Sequence, residues 1–190
     1  MFAEHGPDAT TVDEVCDKAG LNKRMIYHYY GNKAGLYREV LRYVYETFLS
    51  LEVELAAMLL TPEKLLEAVV SKYIDFLHEH PVFVRLLSYE NLNRGRVARE
   101  LKLAGGKSKI LTALRLLVEK GQSEGRFRSN IDLDELLISI FGLCFFSFSN
   151  QYTMRELLGK AVVTKSRLSL RKKHVVQLLL TGLRNTRDRK

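Results

Sequence analysis

Thr10-Thr11-Val12-Asp13-Glu14-Val15-Cys16-Asp17-Lys18-Ala19-Gly20-Leu21-Asn22-Lys23-Arg24-Met25-Ile26-Tyr27-His28-Tyr29-Tyr30-Gly31-Asn32-Lys33 is a run of three helix starts and two stops. Thr11 and Glu14 have the spacing of a capping box, in which each side chain satisfies an amide that the first turn leaves unpaired. Val12, Val15, Cys16 and Ala19 follow at i, i+3, i+4 and i+7, one face of a helix. Gly20 ends it, because glycine reaches the left-handed conformation without a side-chain clash. Asn22 caps a second short helix to about Tyr30, with Ile26 and Tyr30 on its inner side. Gly31 breaks the chain and Asn32 caps a third helix. Two short helices joined by a glycine turn form the helix-turn-helix pattern.

The outer side of the second helix carries the chemistry. Lys23 and Arg24 can reach phosphates or guanine edges, Tyr27 and Tyr29 can donate to phosphate oxygens, and Met25 can touch a thymine methyl. His28 shares that exposed side. Lys33 opens the third helix, where free N–H groups and the helix dipole favour a phosphate. Thr11 stands in the same position on its own helix. Paired helices with a glycine turn also occur in small helical proteins that never touch DNA.

Working outward, the periodicity predicts an all-α chain. The upstream stretch Met1–His5 reads as a short helix ending near Gly6-Pro7-Asp8. The third helix runs from Lys33 to about Leu60 on Leu36, Val40, Val44, Phe48, Leu51, Leu55 and Leu59, which at 1.5 Å per residue is roughly 40 Å. Further helices are predicted from Pro62 to about His80, Pro81 to Asn93, Val97 to Glu124, Asp132 to Asn150 and Leu170 to Arg184. A turn near Met154–Leu158 and a loop separate the last two. The domain boundary is set at 45/46: a DNA-binding module over 1–45 and a helical body over 46–190.

Net charge is +8, but residues 1–45 hold six basic and six acidic side chains and net to zero. Residues 46–154 net to −1, and residues 155–190 net to +9. The pI therefore reports a basic C-terminal segment, read as a solvated tail, and not the helix-turn-helix. Between Gly20 and Tyr45, however, five basic residues face one acidic one. Cys16 and Cys144 lie in apolar helical patterns and read as small buried hydrophobes of a reducing compartment. No secretory signal is visible, and the most apolar stretch, Leu136–Phe148, is short of the about 20 residues a bilayer needs. The chain thus reads as cytoplasmic, with no membrane partner.

Residues 2–45 resemble the DNA-binding module of the tetracycline-repressor (TetR) family. The matching positions are Phe2-Ala3-Glu4-His5-Gly6, Thr10-Thr11-Val12, Ala19-Gly20-Leu21, Tyr27-His28-Tyr29-Tyr30, Asn32-Lys33 and Leu36. Tyr30 stands where the family usually has phenylalanine. The resemblance implies that Asn22–Tyr30 is the recognition helix, that Tyr27, Lys33 and Thr11 hold phosphates, and that Lys23, Arg24, Met25, His28 and Tyr29 read bases. It also implies a first helix and basic arm reaching upstream of Phe2, with Met1 then an internal methionine or a misplaced start. The body resembles the family's effector-binding region in plan only. By this analogy Asp132–Asn150 and Leu170–Arg184 pair with their mates as a four-helix bundle in a homodimer bound to a double-stranded DNA operator. Independently, Ile138, Phe141, Phe145 and Phe148 offer more apolar surface than one small body need bury.

Tyr73, Phe76, Leu77, His80, Phe83, Leu87, Phe141 and Phe145 are the candidates to line a cavity for a largely apolar small-molecule effector, with core packing the alternative at each. Glu90 and Asn91 would add polar specificity or face solvent. Gly105-Gly106-Lys107-Ser108 lacks the first glycine and preceding strand of a phosphate loop, so it reads as a helix-breaking turn. His78 and His80, two residues apart, do not share a helix face and make no metal site. No catalytic set assembles. The expectation is a DNA-binding transcriptional regulator, a repressor in sign, without metal, cofactor or enzymatic activity. Two alternatives stay open: a helical small-molecule-binding protein or enzyme of this fold that no longer binds DNA, and a nonspecific nucleoid protein bound through its basic tail.

Overall fold

A computed structural model describes residues 1–56, 60–101 and 109–185. Over these residues the chain forms helices α1 (Phe2–Ala9), α2 (Val12–Ala19), α3 (Lys23–Tyr30), α4 (Lys33–Ala56), α5 (Pro62–Glu79), α6 (Pro81–Leu92), α7 (Arg96–Glu100), α8 (Lys109–Ser123), α9 (Leu133–Ser149), α10 (Gln151–Leu158) and α11 (Lys165–Leu183). Among the described residues the sole β pairing is an isolated bridge, Phe127 with Arg184. The all-α expectation holds. Leu60, the expected end of the third helix, is not helical; residues 57–59 and the glycine-lysine turn at 105–108 lie outside the described residues.

The residues group into two compact units, Met1–Leu49 with His80–Gly106, and Ser50–Glu79 with Lys107–Lys190. In the first, Phe2, Val12, Cys16, Ile26, Leu36, Tyr37 and Leu41 form one core with Leu86 of α6 and Val97 of α7. This core unites residues far apart in sequence: α6 and α7 belong to the same unit as the helix-turn-helix. The capping box forms as predicted, with Glu14 N–H donating to Thr11 Oγ1 (3.2 Å) and Thr11 N–H to Glu14 Oε2 (2.8 Å). Gly20 takes the left-handed conformation (φ 65°) and ends α2.

Helix α1 does not stop at His5. Gly6 absorbs a non-helical step (φ 81°, ψ 162°), and Pro7 restarts the helix, which continues to Ala9. The Tyr89 ring of α6 lies across Gly6, where a Cβ would stand 3.0 Å from it.

In the second unit α5 packs on α8, α9 and α11, around the fully buried Leu66, Val70, Ile74, Leu114, Leu117, Ile140, Cys144 and Val175. Asp132 caps α9 through its side chain, as its position suggested. Three expectations differ. The helix expected over Val97–Glu124 is not continuous, since α7 ends at Glu100 and α8 begins at Lys109. Gln151–Leu158 is a helix, not a turn, bent by 75° from α9. Helix α11 starts at Lys165, five residues before Leu170, because Thr164 caps it by accepting from Arg167 N–H (3.4 Å). Its first turn carries basic residues that mask the apolar period. Among the described residues no single helix is long and apolar enough to cross a membrane.

Candidate nucleic-acid interface

Helix α3 is held by its ends and by one side chain. Asn22 Oδ1 accepts from Arg24 N–H (2.9 Å) at the start, and Gly31 (φ 73°) stops it. Ile26, 3% exposed, anchors the helix in the core of the first unit. The other positions, Lys23, Arg24, Met25, Tyr27, His28 and Tyr29, are all exposed, and Tyr29 reaches 70%. Tyr30 is a correction: it is exposed and not packed inward with Ile26. It sits in the last turn before Gly31, where its ring neighbours Tyr29 (centroids 6.5 Å).

An exposed strip of two cations and several aromatic rings on a rigid short helix has the make-up of a groove reader. Tyrosine hydroxyls donate to phosphate, and the ring planes of Tyr29 and His28, edge to face at 5.0 Å, hold each other in orientation. Lys33, at the first position of α4, donates to the Asp8 carbonyl (3.2 Å). Thr11 Oγ1 also donates to Glu14 Oε2 (2.8 Å), so the capping box occupies the hydroxyl. Those contacts hold the Glu14 carboxyl below the usual carboxylate range, the Thr11 backbone N–H contributing most.

Lys23 has a partner that its sequence position did not suggest. Its ammonium lies 2.6 Å from Asp13 Oδ1 and 2.9 Å from Oδ2, and this hydrogen bonding raises its pKa above the ordinary lysine value. Lys18 similarly meets Glu4 at 3.4 Å.

The candidate effector residues fall in different units. Tyr73, Phe76 and Leu77 are buried in the second unit with Phe141 and Phe145 half-buried, and the Tyr73 and Phe141 rings are 5.0 Å apart. His80, Phe83 and Leu87 belong to the first unit. There Phe83 stacks on Phe48 (5.3 Å) and meets Tyr45 edge-on (6.3 Å). Glu90 does not face solvent. It is 2% exposed and accepts from Tyr37 Oη (3.2 Å) and from the Val97 and Ala98 N–H groups (3.1 Å each). Nothing local announced this, since Tyr37 lies 53 residues away. Burial pushes the Cys144 thiol up to about 12, so it stays protonated.

A capped helix pair presenting a basic, aromatic second helix, joined in one chain to a separate helical body, defines a helix-turn-helix transcriptional regulator. Residues 1–40 match the family model for bacterial regulatory proteins of the tetR family, and residues 62–179 match the tetracyclin repressor-like C-terminal domain. The chain belongs to the TetR family and is a DNA-binding transcriptional regulator. It is 32% identical over 185 residues to the HTH-type transcriptional repressor NicS of Pseudomonas putida, covering 97% of this chain and 87% of that one. The HTH-type transcriptional repressor SCO4008 of Streptomyces coelicolor is 27% identical over 83% of this chain and 78% of its own. Among solved structures, the regulator FadR of Bacillus subtilis in complex with stearoyl-CoA shares the fold at TM-score 0.69 and 20% identity, over 96% of this chain and 93% of that one.

Proposed function

We propose that the chain is a repressor that grips a near-palindromic operator as a homodimer and lets go when a small, largely apolar effector binds its second unit. The observation that carries this is α3: one buried anchor, Ile26, with Lys23, Arg24, Met25, Tyr27, His28 and Tyr29 exposed around the rest of the helix. In this reading the N-terminal turn of α3 meets base edges in the major groove, while Tyr27, Lys33 and the start of α2 at Thr11 hold the sugar–phosphate rails. Two copies set their helices about 34 Å apart, one turn of DNA. The chain acts by binding alone. The repressor names of NicS and SCO4008 support the sign of regulation.

Phosphate ligands and base readers leave different thermodynamic signatures. With Tyr27→Phe combined with Lys33→Ala, affinity falls for every duplex alike; loss of the Lys33 cation lowers the log–log salt slope by about 0.9, while loss of the neutral Tyr27 hydroxyl lowers affinity without changing the slope. Fluorescence anisotropy on a duplex selected by the wild-type chain, at several salt concentrations, reads this. An unchanged slope removes the Lys33 role, and an unchanged affinity in Tyr27→Phe alone removes that of Tyr27.

The dimer reading rests on α9 and α11, which leave Ile138 (62% exposed), Phe146, Leu170 and Leu178 outside the single chain. Phe148 does not contribute, being buried in its own unit, and Phe141 and Phe145 are only half exposed. Ile138→Asp with Phe146→Asp is expected to yield a monomer by analytical ultracentrifugation. The two carboxylates would lose their hydration in an interface core that buries roughly 800 Å² per partner, a cost that Arg167 and Arg171 beside Phe146 offset only in part. A sedimenting dimer in that variant ends this assignment of the interface.

The effector reading rests on Tyr73, Phe76, Leu77, Phe141 and Phe145 of the second unit, and the FadR complex with stearoyl-CoA supports an apolar ligand class. An effector shifts DNA affinity only by its differential affinity for the two conformations.

A further inference from the structure

The segment that carries the reading helix, residues 1–45, has an electrostatic peculiarity. A surface that docks on a polyanion draws its affinity from cations that replace counterions on phosphates. Yet residues 1–45 carry as many acidic as basic side chains. Two of these acids lie against lysines: Glu4 against Lys18 at 3.4 Å, and Asp13 against Lys23 at 2.6 Å.

The second pair lies where two helices begin. Asp13 is the second residue of α2 and Lys23 the first of α3. A cation in the first turn of a helix opposes the partial positive charge there, so Lys23 in isolation would swing its flexible stem outward to the nearest anion. Asp13 prevents that. Both of its oxygens lie within hydrogen-bond distance of the ammonium, although both side chains remain largely open to solvent. The ammonium is thereby pinned at the N-terminal end of α3, the end that meets base edges when such a helix enters the major groove. A lysine held there can donate to guanine O6 and N7, and it is withheld from the backbone.

We infer that Asp13 is a positioning residue for sequence recognition: it aims Lys23 at a base edge and keeps it from serving as a general phosphate ligand. This rests on the DNA-reading role of α3 given above. Asp13 acts through Lys23 and makes no contact of its own with the duplex. Sequence discrimination therefore depends on an acidic residue that touches no base itself.

The test compares two duplexes of equal length by fluorescence anisotropy over a salt series. One is selected from a random library by the wild-type full chain, the other has scrambled sequence. In Asp13→Asn, Lys23 is freed, so the scrambled duplex binds about five-fold tighter with a slope steeper by about 0.9, the increment of one phosphate contact. The selected duplex gains less than about two-fold, because a base contact is exchanged for a phosphate contact and the preference at one guanine weakens. Placing Asp13→Asn in a Lys23→Ala background abolishes the gain, since the effect passes through the lysine. A gain that persists undiminished in that background, or a scrambled-to-selected ratio equal to that of the wild type, overturns the inference. A wild-type chain that selects no duplex overturns the DNA-reading role itself, a result separable from the other two.

Discussion

Glu90→Ala is expected to lower the unfolding free energy of the first unit by on the order of 3 kcal/mol, because three donors lose one acceptor and each buried donor left unpaired costs about 1–3 kcal/mol. The donors are the Tyr37 hydroxyl on α4 and the Val97 and Ala98 N–H groups of α7. The N-cap of α7 is Gly95, which has no capping side chain, and Glu90 from the preceding helix serves in its place. The carboxylate thus joins α4, α6 and α7. Against a total stability of about 5–15 kcal/mol for a domain, the loss is large. Urea unfolding at fixed protein concentration measures it, and operator affinity falls with it because α4 follows directly on the recognition helix.

The conservative variants separate the contributions. Glu90→Gln keeps one acceptor oxygen for the α7 amides and turns its NH₂ to Tyr37 Oη, which can accept, so the cost is about 1 kcal/mol. Tyr37→Phe removes one bond of 3.2 Å and keeps the packing of the ring against Phe2 (5.2 Å), a loss of similar size. Burial and the neighbouring Glu90 push the Tyr37 hydroxyl upward, so it stays a donor through neutral pH and this stabilisation does not titrate there. A Glu90→Ala chain as stable as the wild type would show that the carboxylate is solvated in solution.

The helix-turn-helix was legible because its determinants are local. Thr11 with Glu14, Gly20, Asn22 and Gly31 act within four residues of themselves, and all five behave as their sequence contexts predict. Glu90 and Asp13 were not legible, since their partners are 53 and 10 residues distant and depend on how elements pack. Helix α9 shows another limit. It is apolar on nearly every side, so periodicity cannot tell which face enters its own unit. Leu136, Ile140, Cys144 and Phe148 do, while Ile138 and Phe146 stay outside. Phe148, expected on the outer side, is buried in its own unit. The start of α11 is hidden for the opposite reason: in its first turn the core residue Leu168 follows Lys165, Ser166 and Arg167, and the Thr164 cap marks the beginning.

Gly35→Ala is expected to reduce operator affinity at least about tenfold while leaving most of the helical circular-dichroism signal, since overpacking of this kind typically costs about 1–3 kcal/mol and falls here on the recognition helix. A Cβ at Gly35 would stand 1.9 Å from the Tyr30 carbonyl oxygen, where real contacts stay beyond 3.0 Å. Neither atom belongs to a flexible side chain, so the backbone of α3 or α4 must move. Gly35 N–H also closes the cap of α4 on Asn32 Oδ1 (2.9 Å), which fixes it in place. The end of α3 gives way, and with it the aim of Tyr27, His28 and Tyr29. Gly31→Ala is the informative contrast. Its Cβ meets no atom within 4 Å, and the substitution suffers only the strain of its positive φ, about 1–2 kcal/mol. If both variants lose stability equally but only Gly35→Ala loses discrimination between selected and scrambled duplexes, close approach of the two backbones sets the orientation of the reading helix. Equal discrimination in the two would mean that α3 keeps its orientation without that approach.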